Sequence, residues 1–383
     1  MNRTLLLVNL TGLLIGISYG IYNPIVPIFA KNEIGATYAE LGLIGLANFI
    51  PYMFIPVFVG ILLGKFNNSH LLSVGIVMNS AATVLLSITK TVPEIMMLRA
   101  MTGIAHAFFW PPAQAIISNT SSEESRVKNI GKFTGFFVSG FMIGPLAGMF
   151  LLETLDVSYR MLFQIATFVM ASAIIFSIRA SRTDSPRQHS RFSLYSIREI
   201  RRFPHVIAIL IYCASSFGMI LTIYPAFLND RNMSAPEIEV LYFIFGAARV
   251  ITLAMTERLA KRTDVVLIAS TFCISAGLIL SFYSESIWMF TIAMLFMGFG
   301  FSITFPLTLE IILKRTKKER TGVMIGVYET VFGIGWAIGP LAAGLISEFS
   351  GNATPYAVFF VIGMAISVLG MMRKKILAPA GNV

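Results

Sequence analysis

The feature that most constrains this chain is an internal repeat that relates its two halves. A short pattern, G-x3-G-P, occurs at 140–145 and again 195 positions later, at 335–340. The matched pairs are Gly140 with Gly335, Gly144 with Gly339, Pro145 with Pro340, Gly131 with Gly326, Gly103 with Gly298, Trp110 with Phe305 and Pro111 with Pro306. A repeat at a fixed offset is the signature of a duplicated structural unit. We therefore expect two copies of one unit.

The first copy of this pattern predicts a closely packed helix. At about 100° per residue, Gly140, Gly144 and Gly148 lie in one narrow stripe of an otherwise apolar segment. Such a stripe lets a second helix approach backbone to backbone, as small residues do in membranes. Pro145 lacks an amide donor and is expected to bend or loosen the helix.

The composition indicates a membrane protein. Hydrophobic residues make up 56% of the chain and charged residues 13%, about half the share of a soluble domain, and the mean hydropathy is +0.77. The two cysteines, Cys213 and Cys273, lie in apolar runs and suggest no disulfide framework. A net charge of +10 could favour nucleic acid, but its distribution along the chain indicates membrane topology instead.

Twelve spans can be placed, each near the ~20 apolar residues that cross a bilayer. Their approximate bounds are 4–30, 40–64, 69–89, 93–118, 128–152, 158–178, 205–229, 235–257, 265–283, 286–313, 322–347 and 354–372. The predicted fold is an all-α integral membrane protein with two six-helix bundles, residues 1–178 and 205–383. The segment 179–204 between them carries seven arginines against Asp184 and Glu199 and is predicted to be a cytoplasmic linker.

The distribution of positive charge sets the predicted orientation. With the amino terminus inside, 23 of the 29 Lys and Arg residues fall on the cytoplasmic side, four outside and two within spans. The opposite orientation would contradict the positive-inside rule. We therefore expect a multi-pass protein of the plasma membrane with both termini in the cytoplasm.

Two motifs resemble those of the major facilitator superfamily. The loop after span 2 has Gly60 and Lys65 where that family has a glycine and a basic residue, although Gly64 stands at its usual aspartate and His70 alone represents its second basic cluster. The pattern G-x8-G-x3-G-P-x2-G, from Gly131 to Gly148, resembles the fifth-span signature of the drug:proton antiporter branch.

This resemblance implies two bundles built from inverted three-helix repeats, a substrate site near the midplane, and alternating access. The residues assigned to gating or hinge movement are Gly60, Lys65, Gly131, Gly140, Gly144, Pro145, Gly148, Gly335, Gly339 and Pro340. In the second copy we attribute the pattern to duplication rather than to a second functional signature.

Span 4 carries a polar face that is a poor surface to present to lipid. Its members, within about 80° on a continuous helix, are Arg99, Gly103, His106, Trp110 and Gln114. Arg99 and Gly103 also form R-x-x-x-G, which resembles a fourth-span motif associated with proton coupling. The alternatives are that Arg99 only extends to the membrane surface and that His106 is a hydrogen-bonded packing residue.

Spans 1 and 8 supply further candidates. Tyr19, Tyr22 and Asn23 could line a solute path or make contacts between helices. In span 8, Tyr242 and Arg249 share a face, and Arg249 lies too deep to reach the surface easily, so it requires a partner. Each is predicted as a substrate-binding or coupling residue.

Span 11 carries Glu329, interpreted as the one carboxylate clearly inside the hydrocarbon without a charged neighbour on its own helix. It could bind and release a proton, or it could form a static ion pair with Arg249 or Lys65. We hypothesise that such a pair forms when the protein faces outward and that protonation weakens it. Glu310, by contrast, is expected to pair with Lys314 one turn on.

These features predict a secondary active transporter, with proton-coupled export of a small organic or drug-like molecule as the leading function. The alternatives are proton-coupled import of an organic anion and, more remotely, a membrane sensor. An enzyme is not expected, because the four histidines are scattered and neither H-E-x-x-H nor G-x-S-x-G occurs. The expected partners are a small-molecule substrate, protons and the lipid bilayer, with no cofactor, metal or nucleic acid, and the expected state is a monomer.

Overall fold

The structure is a computed structural model that describes residues 2–63, 65–180, 203–314 and 321–372. Gly64 and residues 181–202 of the predicted linker lie outside the described residues. The boundary between the two predicted units therefore remains a prediction.

The first half contains eight helices that form six membrane spans, of which the first and fourth are each divided in two. They are α1 (Arg3–Tyr22), α2 (Ile25–Asn32), α3 (Tyr38–Leu63), α4 (Asn68–Leu86), α5 (Val92–Ala107), α6 (Trp110–Thr120), α7 (Glu123–Glu153) and α8 (Tyr159–Ala180). All six spans expected in this half are confirmed.

The second half repeats this plan, with its first and second spans divided. Its helices are α9 (Pro204–Thr222), α10 (Tyr224–Asp230), α11 (Ala235–Ala254), α12 (Thr256–Leu259), α13 (Thr263–Tyr283), α14 (Ile287–Lys314), α15 (Thr321–Ser350) and α16 (Thr354–Met372), with a 3-10 turn at Ala260–Arg262. Ten of the twelve spans are long and apolar enough to cross a membrane by composition alone. The other two, α5–α6 and α11, contain buried charged side chains.

Span 4 is not the continuous helix on which the predicted polar face was built. The chain leaves α5 after Ala107 and starts α6 at Trp110. Pro111 and Pro112 occupy the first turn of α6. A proline in mid-helix removes a backbone donor and collides with the carbonyl four residues earlier, so the helix ends and restarts here. Pro24, next to the break between α1 and α2, has the same effect in span 1.

The glycine stripes make the close backbone contacts that the repeat predicts. A Cβ at Gly140 or Gly144 would overlap carbonyl oxygens of α1, and one at Gly339 would overlap the carbonyl of Ser215 in α9. Gly140, Gly144 and Gly339 therefore pack inside their own bundles, whereas Gly148 contacts α11 of the second bundle. Pro145 and Pro340 lie within continuous helices, α7 and α15.

Two seams join the bundles, and we name them by their helices. In the first seam α3 packs on α15, where a Cβ at Gly42 would lie 2.7 Å from the carbonyl oxygen of Pro340. In the second seam α7 packs on α11, where a Cβ at Gly246 would lie 2.8 Å from the Cα of Met142. Backbones this close leave no space for solute.

Polar contacts link the bundles at one end of the molecule, which we call the closed end. Lys31 forms an ion pair with Asp230, whose carboxylate also accepts hydrogen bonds from Tyr38 at 2.7 Å and Asn352 at 2.9 Å. The backbone amide of Ala39 donates to Glu348 at 3.3 Å. Lys31, Tyr38 and Ala39 belong to the first half, and their partners Asp230, Asn352 and Glu348 belong to the second, so this end is fastened across both halves.

Both seams part toward the opposite end, which we call the parted end. Gly60 lies seven residues after Met53 of α3, and Gly135 lies seven before Met142 of α7. Seven residues complete nearly two turns, so both glycines continue the faces that form the seams. Met53 still contacts Gly333 of α15, but among the described residues a Cβ at Gly60 or Gly135 would meet nothing within 4 Å.

Candidate functional site

A hydrogen-bonded trio lies at the centre of the first bundle. His106, near the end of α5, contacts the Tyr19 hydroxyl through Nδ1 at 3.2 Å and accepts a hydrogen bond at Nε2 from Trp110 Nε1 at 2.7 Å. An indole N–H can only donate, so Nε2 is unprotonated and the imidazole is neutral with its proton on Nδ1. Trp110 follows His106 by four residues, so the two side chains stay neighbours across the break between α5 and α6.

Arg99 and Asn23, two predicted site residues, are brought together. The Arg99 side chain is 5% exposed, and its Nη1 donates to Asn23 Oδ1 at 3.0 Å. Arg99 therefore lies inside the bundle instead of extending to the surface. Its charge is within electrostatic range of Tyr19, Tyr22 and His106. Whether it acts in coupling stays a prediction.

Aromatic rings extend from this trio to the second bundle. Tyr52 of α3 contacts His106 edge to face, with ring centroids 5.2 Å apart, and reaches Trp336 of α15 at 5.9 Å. Phe49 lies 4.8 Å from Trp336. Beyond it, Phe217 of α9 stacks on Trp336 at 5.5 Å. These rings, which we call the aromatic surface, thus cross the boundary between the bundles, at the level where the first seam parts.

Arg249 occupies the corresponding level of the second seam. Its guanidinium carbon lies 5.9 Å from the ring centre of Phe141 in the first bundle, and 5.0 and 5.5 Å from Phe217 and Phe245 in the second. In the described residues it makes neither an ion pair nor a hydrogen bond, and its buried Nε has no acceptor. In this structure the rings of Phe141, Phe217 and Phe245 surround Arg249, for which the sequence predicted a partner.

Glu329 is half-buried on α15, two turns before Trp336. Its carboxylate is within electrostatic range of Tyr52 and Tyr328. No salt bridge in the described residues joins it to Lys65 or Arg249, so the hypothesised pair, assigned to the outward-facing state, stays a prediction. The expected pair of Glu310 with Lys314 is confirmed at 2.7 Å.

The remaining candidates are placed less centrally. The Tyr242 hydroxyl donates to the carbonyl of Ile220 and is buried inside the second bundle. Gln114 is half-buried on α6, and Lys65 is exposed at the parted end. Within the described ranges no three His, Cys, Asp or Glu side chains come together as a metal site requires.

The sequence interpretation missed Glu239, which is more deeply buried than Glu329. Its side chain is fully buried in the second seam, and neither carboxylate oxygen has a hydrogen-bond partner in the part of the chain that is described. Oε1 lies 2.9 Å from where a Cβ of Gly148 would be, so the glycine makes space for the carboxyl. The available signal was a second acid following Glu237, which caps the helix through Ser234.

Comparisons with known proteins agree with this architecture. Residues 8–265 and 207–380 match the model of the Major Facilitator Superfamily. The Quinolone resistance protein NorA of Staphylococcus aureus is 24% identical over 391 residues, covering 98% of this chain and 97% of NorA. An uncharacterized MFS-type transporter of Methanocaldococcus jannaschii is 21% identical over 366 residues, covering 92% of this chain and 94% of that protein.

Solved structures share the fold at low sequence identity. The nucleoside transporter NupG matches with a TM-score of 0.79 and 13% identity, covering 98% of this chain and 100% of that chain. A bacterial homolog of the human lysosomal transporter Spinster, inward-facing and unoccupied, matches with a TM-score of 0.71 and 15% identity, over 98% of this chain and 95% of that one. The family match over nearly the whole chain and the twelve-span architecture show that this protein belongs to the Major Facilitator Superfamily, a family of membrane transporters.

Proposed function

We propose that this transporter works by alternating access and exports a small organic or drug-like molecule across the plasma membrane in exchange for protons. The observation that carries the proposal is the parting of both seams at the level of the aromatic surface. A solute bound there is shut off from the closed end and can reach the parted end. Rocking the bundles about this level would reverse the access.

The direction of export rests on topology and on the comparison with NorA. With the orientation predicted from Lys and Arg, the closed end faces outward and the parted end faces the cytoplasm. A substrate would then enter from the cytoplasm in the state described. NorA, named for quinolone resistance, aligns over 98% of this chain, which supports outward transport of a drug-like compound.

Two carboxyls support proton coupling in different ways. Glu239 is buried in the second seam without a partner among the described residues. It must be protonated while the closed end is shut, because an isolated buried carboxylate is very costly. Glu329, half-buried beside Tyr52, is closer to the aromatic surface and could exchange its proton from the parted end. We propose that Glu329 binds the transported proton and that the protonation of Glu239 depends on whether the closed end is shut.

Import of an organic anion is the second candidate, and Arg249 favours it. A cation without an acidic partner beside the aromatic surface would suit a negatively charged solute. Transport in proteoliposomes under an imposed pH gradient separates the two directions. Substrate expelled against its gradient from the compartment facing the parted end supports export, whereas accumulation there, in the direction of proton flow, supports import.

A further inference from the structure

We infer that Arg249 binds a carboxylate of the transported molecule, whose aromatic body lies on the rings beside it. The inference rests on the proposed function, because it takes the boundary between the bundles as the transport site. It adds a chemical class, aromatic acids, to a substrate that was otherwise defined only as small and organic.

The first step is that Arg249 carries a charge which the described protein does not balance. A guanidinium stays protonated in proteins and offers five N–H donors and no acceptor. In the described residues these donors have no hydrogen-bond or ion-pair partner. The Cys213 thiol lies within electrostatic range, but a thiol is mostly neutral near pH 7.

The second step excludes the nearby acids as partners in this state. Glu239 lies ten residues earlier on the same helix, which corresponds to about 15 Å along its axis. Its carboxyl contacts Gly148 and is itself fully buried. Glu329 lies within electrostatic range of Tyr52 and Tyr328, and no salt bridge in the described residues joins it to Arg249. Since no counter-charge comes from the described residues in this state, we assign that role to a ligand.

The third step is that the three phenylalanine rings hold the cation but leave its donors free. Phe141, Phe217 and Phe245 surround the guanidinium carbon at 5.0–5.9 Å. Ring faces attract a cation, yet they accept none of its hydrogen bonds in the manner of a carboxylate. Arg249 is only half-buried, so part of its fork remains open to a ligand. Its planar geometry fits a carboxylate through two parallel hydrogen bonds.

The fourth step places an aromatic group next to that carboxylate. Phe217 lies under Arg249 and also stacks on Trp336, with ring planes 20° apart. The indole Nε1 of Trp336 is buried without an acceptor in the described residues. The aromatic body of a ligand held at Arg249 would then lie beside Phe217 and Trp336.

The other membrane-embedded arginine does not offer such a site. Arg99 is 5% exposed and already donates to Asn23. Arg231, near the closed end, lies 3.8 Å from Glu285 and serves as a control because it is far from the aromatic surface. Within the described spans, Arg249 is thus the cation available to a solute.

Binding of three matched probes to the purified protein in nanodiscs tests the inference. Isothermal titration calorimetry would compare 1-naphthoate with its neutral amide, 1-naphthamide, and with the cation 1-naphthylmethylammonium. We expect naphthoate to bind at least tenfold more tightly than the other two. Arg249→Gln should abolish that difference, Arg249→Lys should keep part of it, and Arg231→Gln should leave it unchanged.

Three results would overturn the inference: equal binding of the probes to the unaltered protein, tighter binding of the cation, or a naphthoate preference that survives Arg249→Gln. Because Arg249→Gln could disturb folding, its thermal unfolding is compared with that of Arg249→Lys, and naphthamide binding must be retained. Binding is measured without a gradient. Arg249-dependent binding without proton-driven movement would thus leave this inference standing while contradicting the proposed function.

Discussion

The two halves of each seam have the same kind of sequence and opposite packing. Toward the closed end, Gly42 and Gly344 bring α3 and α15 within backbone contact, whereas Gly60, further along the same face of α3, meets none of the described residues within 4 Å. Small residues therefore do not by themselves hold the bundles together. They make close contact available at both ends, and in this structure only the closed end uses it.

The polar contacts differ in the same way. The closed end has the Asp230 cluster with Lys31, Tyr38 and Asn352, and no ion pair joins the bundles at the parted end within the described residues. These polar contacts are partly exposed and therefore contribute little, because an exposed ion pair stabilises by about 1 kcal/mol or less. Most of the difference between the two ends must therefore come from packing.

The largest effect should come from placing bulk on either half of the first seam. In Gly344→Leu the side chain would meet the Cα of Gly42 at 2.8 Å, and we expect loss of more than nine-tenths of transport with the closed end held apart. In Gly60→Leu we expect similar loss for the opposite reason, because the leucine prevents the parted end from closing.

Spin-label distances distinguish the two trapped states. Exposed positions at the closed end, Lys90 and Glu285, and at the parted end, His70 and Lys261, allow one pair per end in a variant without the native cysteines. Gly344→Leu should lengthen the Lys90–Glu285 distance. Gly60→Leu should keep the Lys90–Glu285 and His70–Lys261 distances at the values that they have in the structure. If both variants transport normally, packing of the seams does not control access.

A smaller loss is expected for Arg99→Lys. Lysine keeps the charge but lacks the planar fork that directs Nη1 to Asn23, and a hydrogen bond to a charged group contributes ~1.5–3 kcal/mol. We expect proton-driven transport to fall about tenfold, with Arg231→Lys near normal as the control. Full activity of Arg99→Lys would mean that only the charge matters at this position.

Much of this arrangement could be predicted from the sequence, because it depends on lengths and periods. The twelve spans, the duplicated glycine stripes and the Glu310–Lys314 pair follow from runs of apolar residues and helical spacing. The sequence also predicted that the polar residues Arg99, Asn23, His106 and Tyr19 are site candidates, since polar groups avoid lipid.

Other parts depended on contacts that no local pattern encodes. Lys31 and Asp230 are 199 positions apart, so their pairing appears only after the bundles assemble. Glu239 escaped notice because an acid close to the start of a helix is usually a capping residue, as Glu237 is.

Glu239→Gln should change the pH dependence of opening at the closed end more than it changes the rate of transport. Glutamine mimics the protonated carboxyl, which is the form that can be buried beside Gly148 with the closed end shut. No cation faces it from the described residues of either seam: Glu153, Glu237 and Tyr242 are the titratable groups on α7 and α11 around it, and Tyr224 and Asp230 lie on α10.

In the unaltered protein, opening the closed end exposes Glu239 to water, where it ionises, so a higher pH on that side should favour opening. The fraction open, from the Lys90–Glu285 distance between pH 5 and 8, should rise several-fold in the unaltered protein and stay flat in Glu239→Gln. Glu237→Gln is the matched control and should retain the rise. A rise that persists in Glu239→Gln would remove Glu239 from the closing step.

The smallest effect should come from Asp230→Asn. Burial works to raise the pKa of Asp230, but hydrogen bonds from Lys31, Tyr38 and Asn352 outweigh it and hold the pKa below its ordinary value of 3.8. The stabilisation is therefore complete above that value and is lost only as the pH falls through the lowered pKa. Measured in a Glu239→Gln background, which removes the slope attributed to Glu239, we expect Asp230→Asn to give a pH-independent shift toward opening of a fewfold at most between pH 5 and 8, by the same distance. A slope with pH in that range would contradict this assignment.

The most direct test of the account is to measure both ends in the same unaltered transporter. The Lys90–Glu285 and His70–Lys261 distances would be recorded by double electron–electron resonance in nanodiscs, with pH changed stepwise. Alternating access predicts that a longer population at the closed end grows in the same proportion as a shorter population at the parted end. If one distance changes while the other stays fixed, or both ends open together, the two halves of the seams are not alternatives and the account is wrong.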